Sequence, residues 1–267
     1  ANLRPDDIDL LIYCGVGKGF LEPANAYFYA SAIGLTCSCF DIADACMSWM
    51  RALEIAYRFT RSGSHRNVMV INGEFNSREH GYPDNFSVKN LEQLEYTFPT
   101  YTIGEAATAT IVTASEDEWR FDYRSVPDLC DLCNIPLSGY EDFVEPSEYL
   151  GRNGVNNFVA YGHELFAMAE QYLMPLIKKT VGDLNDPDIY FPHAASSVAY
   201  LRAGHAAGVR KGKVYGEVFP RFGNLVSASI PAAIVLAEAE GRLKRGDKVA
   251  LVPASAGMVF GVGQFIY

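Results

Sequence analysis

Between residues 8 and 75 the chain alternates short apolar runs with helical stretches, and this alternation restricts the fold more than any other feature. IDLLIYCGV (8–16), CSCFDIA (37–43) and NVMVINGEF (67–75) are of strand length, while PANAYFYASAIGL (23–35) and MSWMRALEIAYRFTRSG (47–63) carry apolar residues at helical spacing. Near-continuous apolar strands are buried on both faces, as in a parallel sheet, and parallel neighbours need a crossover connection. A β-α-β-α-β order follows, with Pro23 opening the first helix and Gly63 ending the second. ATATIVTAS (107–115) reads as a further strand. The stretch 116–150, rich in Asp, Glu, Pro and Tyr, reads as an inserted excursion over the surface.

The plan then recurs. Residues 156–181 predict a long amphipathic helix whose stripe, Phe158, Leu165, Phe166, Met168, Ala169 and Leu173, is expected in the core. DIYFPHAA (188–195) reads as a strand ending at His193, SVAYLRAGHAAGV (197–209) as a helix, and 216–243 as a loop with Gly223 and Asn224 followed by a helix; strands close the chain at 248–255 and 258–267. The expected units are an N-terminal half, 1–150, and a C-terminal half, 151–267. In each, a strand runs into a turn bearing a chemically usable residue just before a helix, Cys46 in the first and His193 in the second. The carboxyl ends of strands are where α/β folds keep their sites.

Composition removes several classes of function. With 49% hydrophobic and 20% charged residues, the 267-residue chain can bury a core. A formal net charge of −10 argues against a generic nucleic-acid surface, which needs clustered Lys and Arg. No apolar run reaches the roughly 18 residues of a membrane span. ANLRPDDIDLL at the start does not read as a signal peptide, so a cytoplasmic location is expected.

The six cysteines, at 14, 37, 39, 46, 130 and 133, make a poor disulfide framework, and reduced thiols are expected. Cys130 and Cys133 have C-x-x-C spacing but no second pair, which favours a loop or dimer-packing role over a metal site. His65, His80, His163 and His205 read as surface or helix residues. On its own Cys46 is either a core thiol or a nucleophile, and a cysteine at a helix N-terminus is favoured as thiolate by the dipole and the free N–H groups.

Six segments in order carry a resemblance: DIDLLIYCGV, FDIADACMSWMRALEIAYRFTRSGSHRNVMVINGE, IGEAATATIV, YFPHAASSVAYL, FGNLVSASIPAAI and GDKVALVPASAGMVFGVGQF. Together they resemble the thiolase superfamily and, within it, the ketoacyl synthase III branch that condenses acyl thioesters. The resemblance covers nearly the whole chain. It implies an α/β thiolase-like fold, two pseudo-repeated βαβ halves in an α-β-α-β-α layered arrangement. Cys46 is then the acylated nucleophile, and its own N–H with the turn near Ala256 and Gly257 forms the oxyanion hole. A neutral His193 and the Asn224 amide would stabilise the charge that builds on a malonyl-type thioester as it loses carbon dioxide. No cofactor is implied. Thioesters of CoA or of acyl carrier protein are the expected substrates and partners.

The triad also separates relatives. Degradative thiolases resemble this fold but need a second cysteine in the last strand region, and no cysteine follows Cys133. Elongating ketosynthases resemble it with a histidine where this chain has Asn224. PHAAS with GNLVSASIP favours the type III ketosynthases over plant-type polyketide synthases. Three departures stand out. GEAATA replaces a GDGAGA-like turn, Ser196 stands where the histidine motif usually ends in Asn, and Ala1 aligns beyond the family's first strand and helix.

GKGFLEPANAYFYA matches the family segment that reaches across a two-fold axis to the neighbour's acyl tunnel. The resemblance thus implies a homodimer, or a heterodimer with a related subunit, with Phe20 and Leu21 at the tunnel and dimer contact. NVMVINGEF is expected to be an edge strand paired across that axis, since few charges protect it; the opposing arrangement has it central within the chain. Three functional classes remain: a condensing enzyme of fatty-acid or secondary (polyketide) metabolism, a non-decarboxylative acyltransferase, and a non-catalytic partner subunit. The intact Cys46, His193 and Asn224 argue against the third.

Overall fold

The computed structural model describes residues 2–75, 88–193 and 195–267. His80 lies outside them. In chain order the elements are β1 (Leu10–Tyr13), α1 (Ala26–Ile33), β2 (Ser38–Asp41), α2 (Ser48–Arg61), β3 (Asn67–Glu74), α3 (Leu94–Thr97), β4 (Ala106–Thr113), β5 (Arg120–Ser125), β6 (Cys133–Asn134) and β7 (Val159–Ala160). There follow α4 (Gly162–Val181), β8 (Ile189–Pro192), α5 (Ser197–Ala206), α6 (Val218–Phe222), α7 (Ser229–Ala239), β9 (Lys248–Val252), β10 (Ala254–Ser255) and β11 (Val259–Ile266).

The first sheet runs β2-β1-β3-β4, with β1 parallel to both β2 and β3, and β4 antiparallel. The second runs β8-β9-β11, parallel then antiparallel, with β5 added antiparallel to β11 from the far side. Helices α2 and α7 lie between the sheets. Trp49, Met50, Leu53, Ile230 and Ala233 share one buried cluster with Ile12, Val68 and Val70 of the first sheet and Phe191, Val249 and Leu251 of the second. Ala26 and Ala30 of α1 cover the outer face of the first sheet, and Leu173, Leu176 and Ile177 of α4 that of the second. The result is the α-β-α-β-α stack.

Helix α2 is the hinge of this arrangement because Trp49, Met50, Ala52, Leu53, Ala56 and Tyr57 are buried over most of its circumference. Cutting Leu53 to alanine removes contacts shared with both sheets, a loss of about 2–5 kcal/mol.

Three expectations are corrected. NVMVINGEF is not an edge: β3 is hydrogen-bonded on both sides, to β1 and to β4, which removes its unpaired backbone. The stretch 116–150 is only partly a surface excursion, because Arg120–Ser125 crosses over as a strand of the second sheet. The helix expected from 156 begins at Gly162, since Val159 and Ala160 pair with Asn134 and Cys133 in a small separate sheet.

Candidate active site

A chamber of about 900 Å³ opens between the halves, and Cys46, His193 and Asn224 all line it. Cys46 sits in a 3₁₀ turn, Ala45–Met47, between β2 and α2. Ala45 precedes it at φ 44°, a left-handed conformation uncommon for alanine. The turn is held from the opposite half: the Met47 N–H donates to Ser255 Oγ at 3.2 Å, and the Ser255 hydroxyl donates to the Asp44 carbonyl at 3.1 Å. One serine thereby fixes the backbone on both sides of Cys46.

His193 follows β8, is 5% exposed, and donates its backbone N–H to the Val252 carbonyl at 3.2 Å. Burial pushes its imidazole down to about 4, so the ring is neutral near pH 7 and offers one N–H donor. Ser196, at the position of the family's Asn, caps α5 by accepting from the Ala199 N–H at 3.3 Å and also lines the chamber.

Asn224 is pinned by the first half. Its backbone N–H donates to the Thr102 carbonyl at 2.7 Å, and its carbonyl accepts from the Gly104 N–H at 2.9 Å. Its side-chain Oδ1 accepts from the Val226 N–H at 2.9 Å, which fixes the amide orientation. Among the described residues no hydrogen bond engages Nδ2, the donor end. Glycine is needed on both sides of this seam: a Cβ at Gly104 would strike the Phe222 carbonyl, and one at Gly223, at φ 75°, the Thr102 carbonyl. Gly104 opens GEAATA, so the altered turn keeps the one glycine this contact requires.

The electrostatics of Cys46 depart from expectation. Burial in the apolar chamber pushes the Cys46 thiol up, and the neighbouring Cys133 thiol and Glu74 carboxyl add to that. The N-terminus of α2 acts in the opposite direction, but desolvation opposes a resting thiolate.

Of the other expected residues, Ala256 lines the chamber beside Cys46, and Gly257 turns the backbone there at φ 76°. Phe20 and Leu21 do not reach this chain's chamber. They are 49% and 92% exposed, and Phe20 stacks on Phe28 at 4.4 Å between ring centroids. The expected core stripe is corrected only in part: Leu173 is buried and Leu165, Met168 and Ala169 pack against its cluster, while Phe158, Leu165, Phe166 and Ala169 also line the chamber wall. An apolar stripe reads the same whether it faces a core or a cavity.

Two chamber residues escape sequence reasoning. Cys133 lies in the wall, its thiol pushed up to about 12 by burial, while Cys130 is exposed. Tyr200 of α5 also lines the chamber, close enough for Cys46 to add to the upward shift that burial imposes on its phenol. Nothing local in the sequence marks either. Among the described residues no group of three His, Cys, Asp or Glu is placed to hold a metal, and no helix is long and apolar enough to cross a membrane.

Five layers with Cys46, His193 and Asn224 on one chamber match the arrangement expected from the resemblance to the thiolase superfamily. The 3-oxoacyl-[acyl-carrier-protein] synthase III model matches residues 40–125, and the model of that family's C-terminal part matches 177–265. The first match contains Cys46; the second contains His193 and Asn224. The chain is 28% identical to the beta-ketoacyl-[acyl-carrier-protein] synthase III of Clostridium novyi, over 98% of this chain and 78% of that protein. The solved synthase III of Aquifex aeolicus superposes with a TM-score of 0.81 at 23% identity, covering 100% of this chain and 79% of that one. OleA of Xanthomonas campestris superposes with a TM-score of 0.84 at 22% identity, covering 100% and 76%. The chain belongs to the ketoacyl synthase III-like enzymes of the thiolase superfamily.

Proposed function

We propose that the protein loads an acyl group from a CoA or acyl-carrier-protein thioester onto Cys46 and condenses it with a malonyl-type thioester. The observation that carries this reading is the meeting of Cys46, His193 and Asn224 in one chamber. In the first half-reaction the Cys46 sulfur attacks the thioester carbonyl, the bond to the carrier sulfur breaks, and the carrier thiol leaves with the proton. The Cys46 N–H and the turn at Ala256 and Gly257 are the proposed oxyanion donors. In the second, the malonyl-type thioester loses carbon dioxide and its enolate oxygen is held by the His193 ring N–H and the Asn224 Nδ2–H. The enolate carbon then bonds to the acyl carbonyl, and Cys46 departs as thiol with a proton from solvent. Neutral His193 suits this role, since it donates without adding a buried charge.

The size of the chamber, near the top of the roughly 300–1,000 Å³ range of small-molecule sites, and its walls of Phe158, Leu165, Phe166 and Phe260 favour a long acyl chain over acetyl. The related OleA has been solved with bound lauric acid and lauroyl-CoA. A dimer belongs to the same reading: the exposed Phe20 and Leu21 would complete a neighbour's chamber rather than their own. Intact-mass measurement after incubation with acetyl-CoA or lauroyl-CoA tests the reading. A lauroyl adduct that malonyl thioester discharges supports it. An adduct inert to malonyl thioester but discharged by an alcohol or amine assigns simple acyl transfer instead, and no adduct refutes both.

A further inference from the structure

Glu74, at the end of β3, is fully buried and lies outside the chamber wall. A carboxyl group in that position needs partners, and its partners come from both halves. It accepts from the Val16 N–H, with 3.2 Å to each oxygen, and from the Ser227 N–H at 3.3 Å. The Ser227 hydroxyl is bonded to the same carboxyl, lies 3.1 Å from the Cys14 carbonyl, and accepts from Asn72 Nδ2 at 2.8 Å. Thr108 closes the chain by donating to Asn72 Oδ1 at 2.6 Å. Val16 and Val226 both line the chamber, and Ser227 follows Val226, whose φ of 51° is a rare conformation for a β-branched residue. Val226 is the residue whose N–H orients the Asn224 amide.

We propose that Glu74 is a positioning residue for Asn224, clamping the Val226–Ala228 turn of the second half against the Cys14–Val16 segment of the first. This rests on the condensation reading above. Burial raises the Glu74 carboxyl above the usual range and favours its neutral form. A proton count agrees with that form. The carboxyl proton occupies the bond to Ser227 Oγ, the serine proton is free for the Cys14 carbonyl, and the second carboxyl oxygen accepts from Val16. A neutral acid also leaves no extra charge beside Cys46, whose thiol an ionised Glu74 would push further up. Glutamine keeps two of these bonds, its amide donating to Ser227 Oγ and its oxygen accepting from Val16, but gives up the one from the Ser227 N–H because an amide nitrogen cannot accept; alanine supplies none of the three.

The test compares Glu74→Gln, Glu74→Ala and Ser227→Ala by two readouts. The first is hydrogen exchange of the peptide spanning 222–230. The second is the ratio of Cys46 loading by lauroyl-CoA to condensation with malonyl thioester. The clamp predicts roughly tenfold or faster exchange in Glu74→Ala and intermediate values in Glu74→Gln, which keeps the bonds to Ser227 Oγ and Val16, and in Ser227→Ala, which keeps the backbone bond. It predicts condensation down about 30-fold in Glu74→Ala with loading within about threefold, partial rescue by Glu74→Gln, and no further loss when Ser227→Ala is added to Asn224→Ala. Unchanged exchange in Glu74→Ala, or a glutamine variant as impaired as the alanine one, overturns the proposal. Absence of an acyl adduct on wild type refutes the condensation reading instead, and the exchange experiment still decides the clamp. If Glu74→Ala does not fold, Ser227→Ala takes its place: wild-type exchange, or a further loss of condensation on top of Asn224→Ala, overturns the clamp.

Discussion

The two halves present their reactive groups by the same device and secure them differently. Each carries a strand into a turn before a helix, yet Cys46 and Asn224 are held by residues of the opposite half, whereas His193 is held by its own sheet. Ser255 bridges the Asp44 carbonyl and the Met47 N–H around Cys46. Thr102 and Gly104 bind the Asn224 backbone. His193 needs only Val252, its neighbour across β8 and β9. On the condensation reading proposed above, loading depends on one cross-half contact and condensation on another, so the two half-reactions should be separable by mutation.

The largest effect tests the sulfur itself: Cys46→Ala should abolish the acyl adduct seen by intact mass, with no transfer of labelling to Cys37, Cys39, Cys130 or Cys133. Next, Asn224→Ala and His193→Ala should lower condensation by about 10²–10³-fold while loading stays within about threefold, because each removes an oxyanion donor of the second half-reaction. Equal loss of both steps would break the separation.

Ser255→Ala should do the reverse, slowing loading by roughly tenfold and lowering stability by about 0.5–1.5 kcal/mol, as the Met47 N–H loses one of its two acceptors and keeps only the Asp44 carbonyl at 2.9 Å. Denaturant unfolding alongside single-turnover loading checks both. The last effect is a pH dependence. The folded His193 is lowered to about 4 from an ordinary value near 6.5, so between those limits the unfolded chain binds the extra proton. Stability is fully present above about pH 6.5 and declines by roughly 3 kcal/mol as pH falls to about 4. His193→Gln should flatten that slope relative to wild type in urea titrations at pH 7 and pH 4.5.

The strand and helix alternation was legible because apolar runs of strand length and the spacing in α2 record burial directly. The same rule misplaced β3. Its apolar run shows that it is covered but not by what, and its cover is β4, whose alternation of Ala and Thr reads as a half-exposed strand. β5 was hidden for the matching reason: RFDYRS alternates with charge because one face of it meets solvent. Cys46, His193 and Asn224 could be picked out by their strand ends, their turn and the family pattern. Cys133, Tyr200 and Glu74 could not, since the chamber and its supports are assembled from segments far apart in the chain, and a side chain's place in a cavity leaves no local periodicity.

Whether Cys46 carries the acyl group through to condensation is decided by isolating the acyl form, mapping its label by peptide mass, and chasing it with malonyl thioester. The expected result is label on Cys46 and its discharge with one carbon dioxide released per acyl group transferred. Label on another cysteine, or carbon dioxide released while the label stays on Cys46, would contradict it.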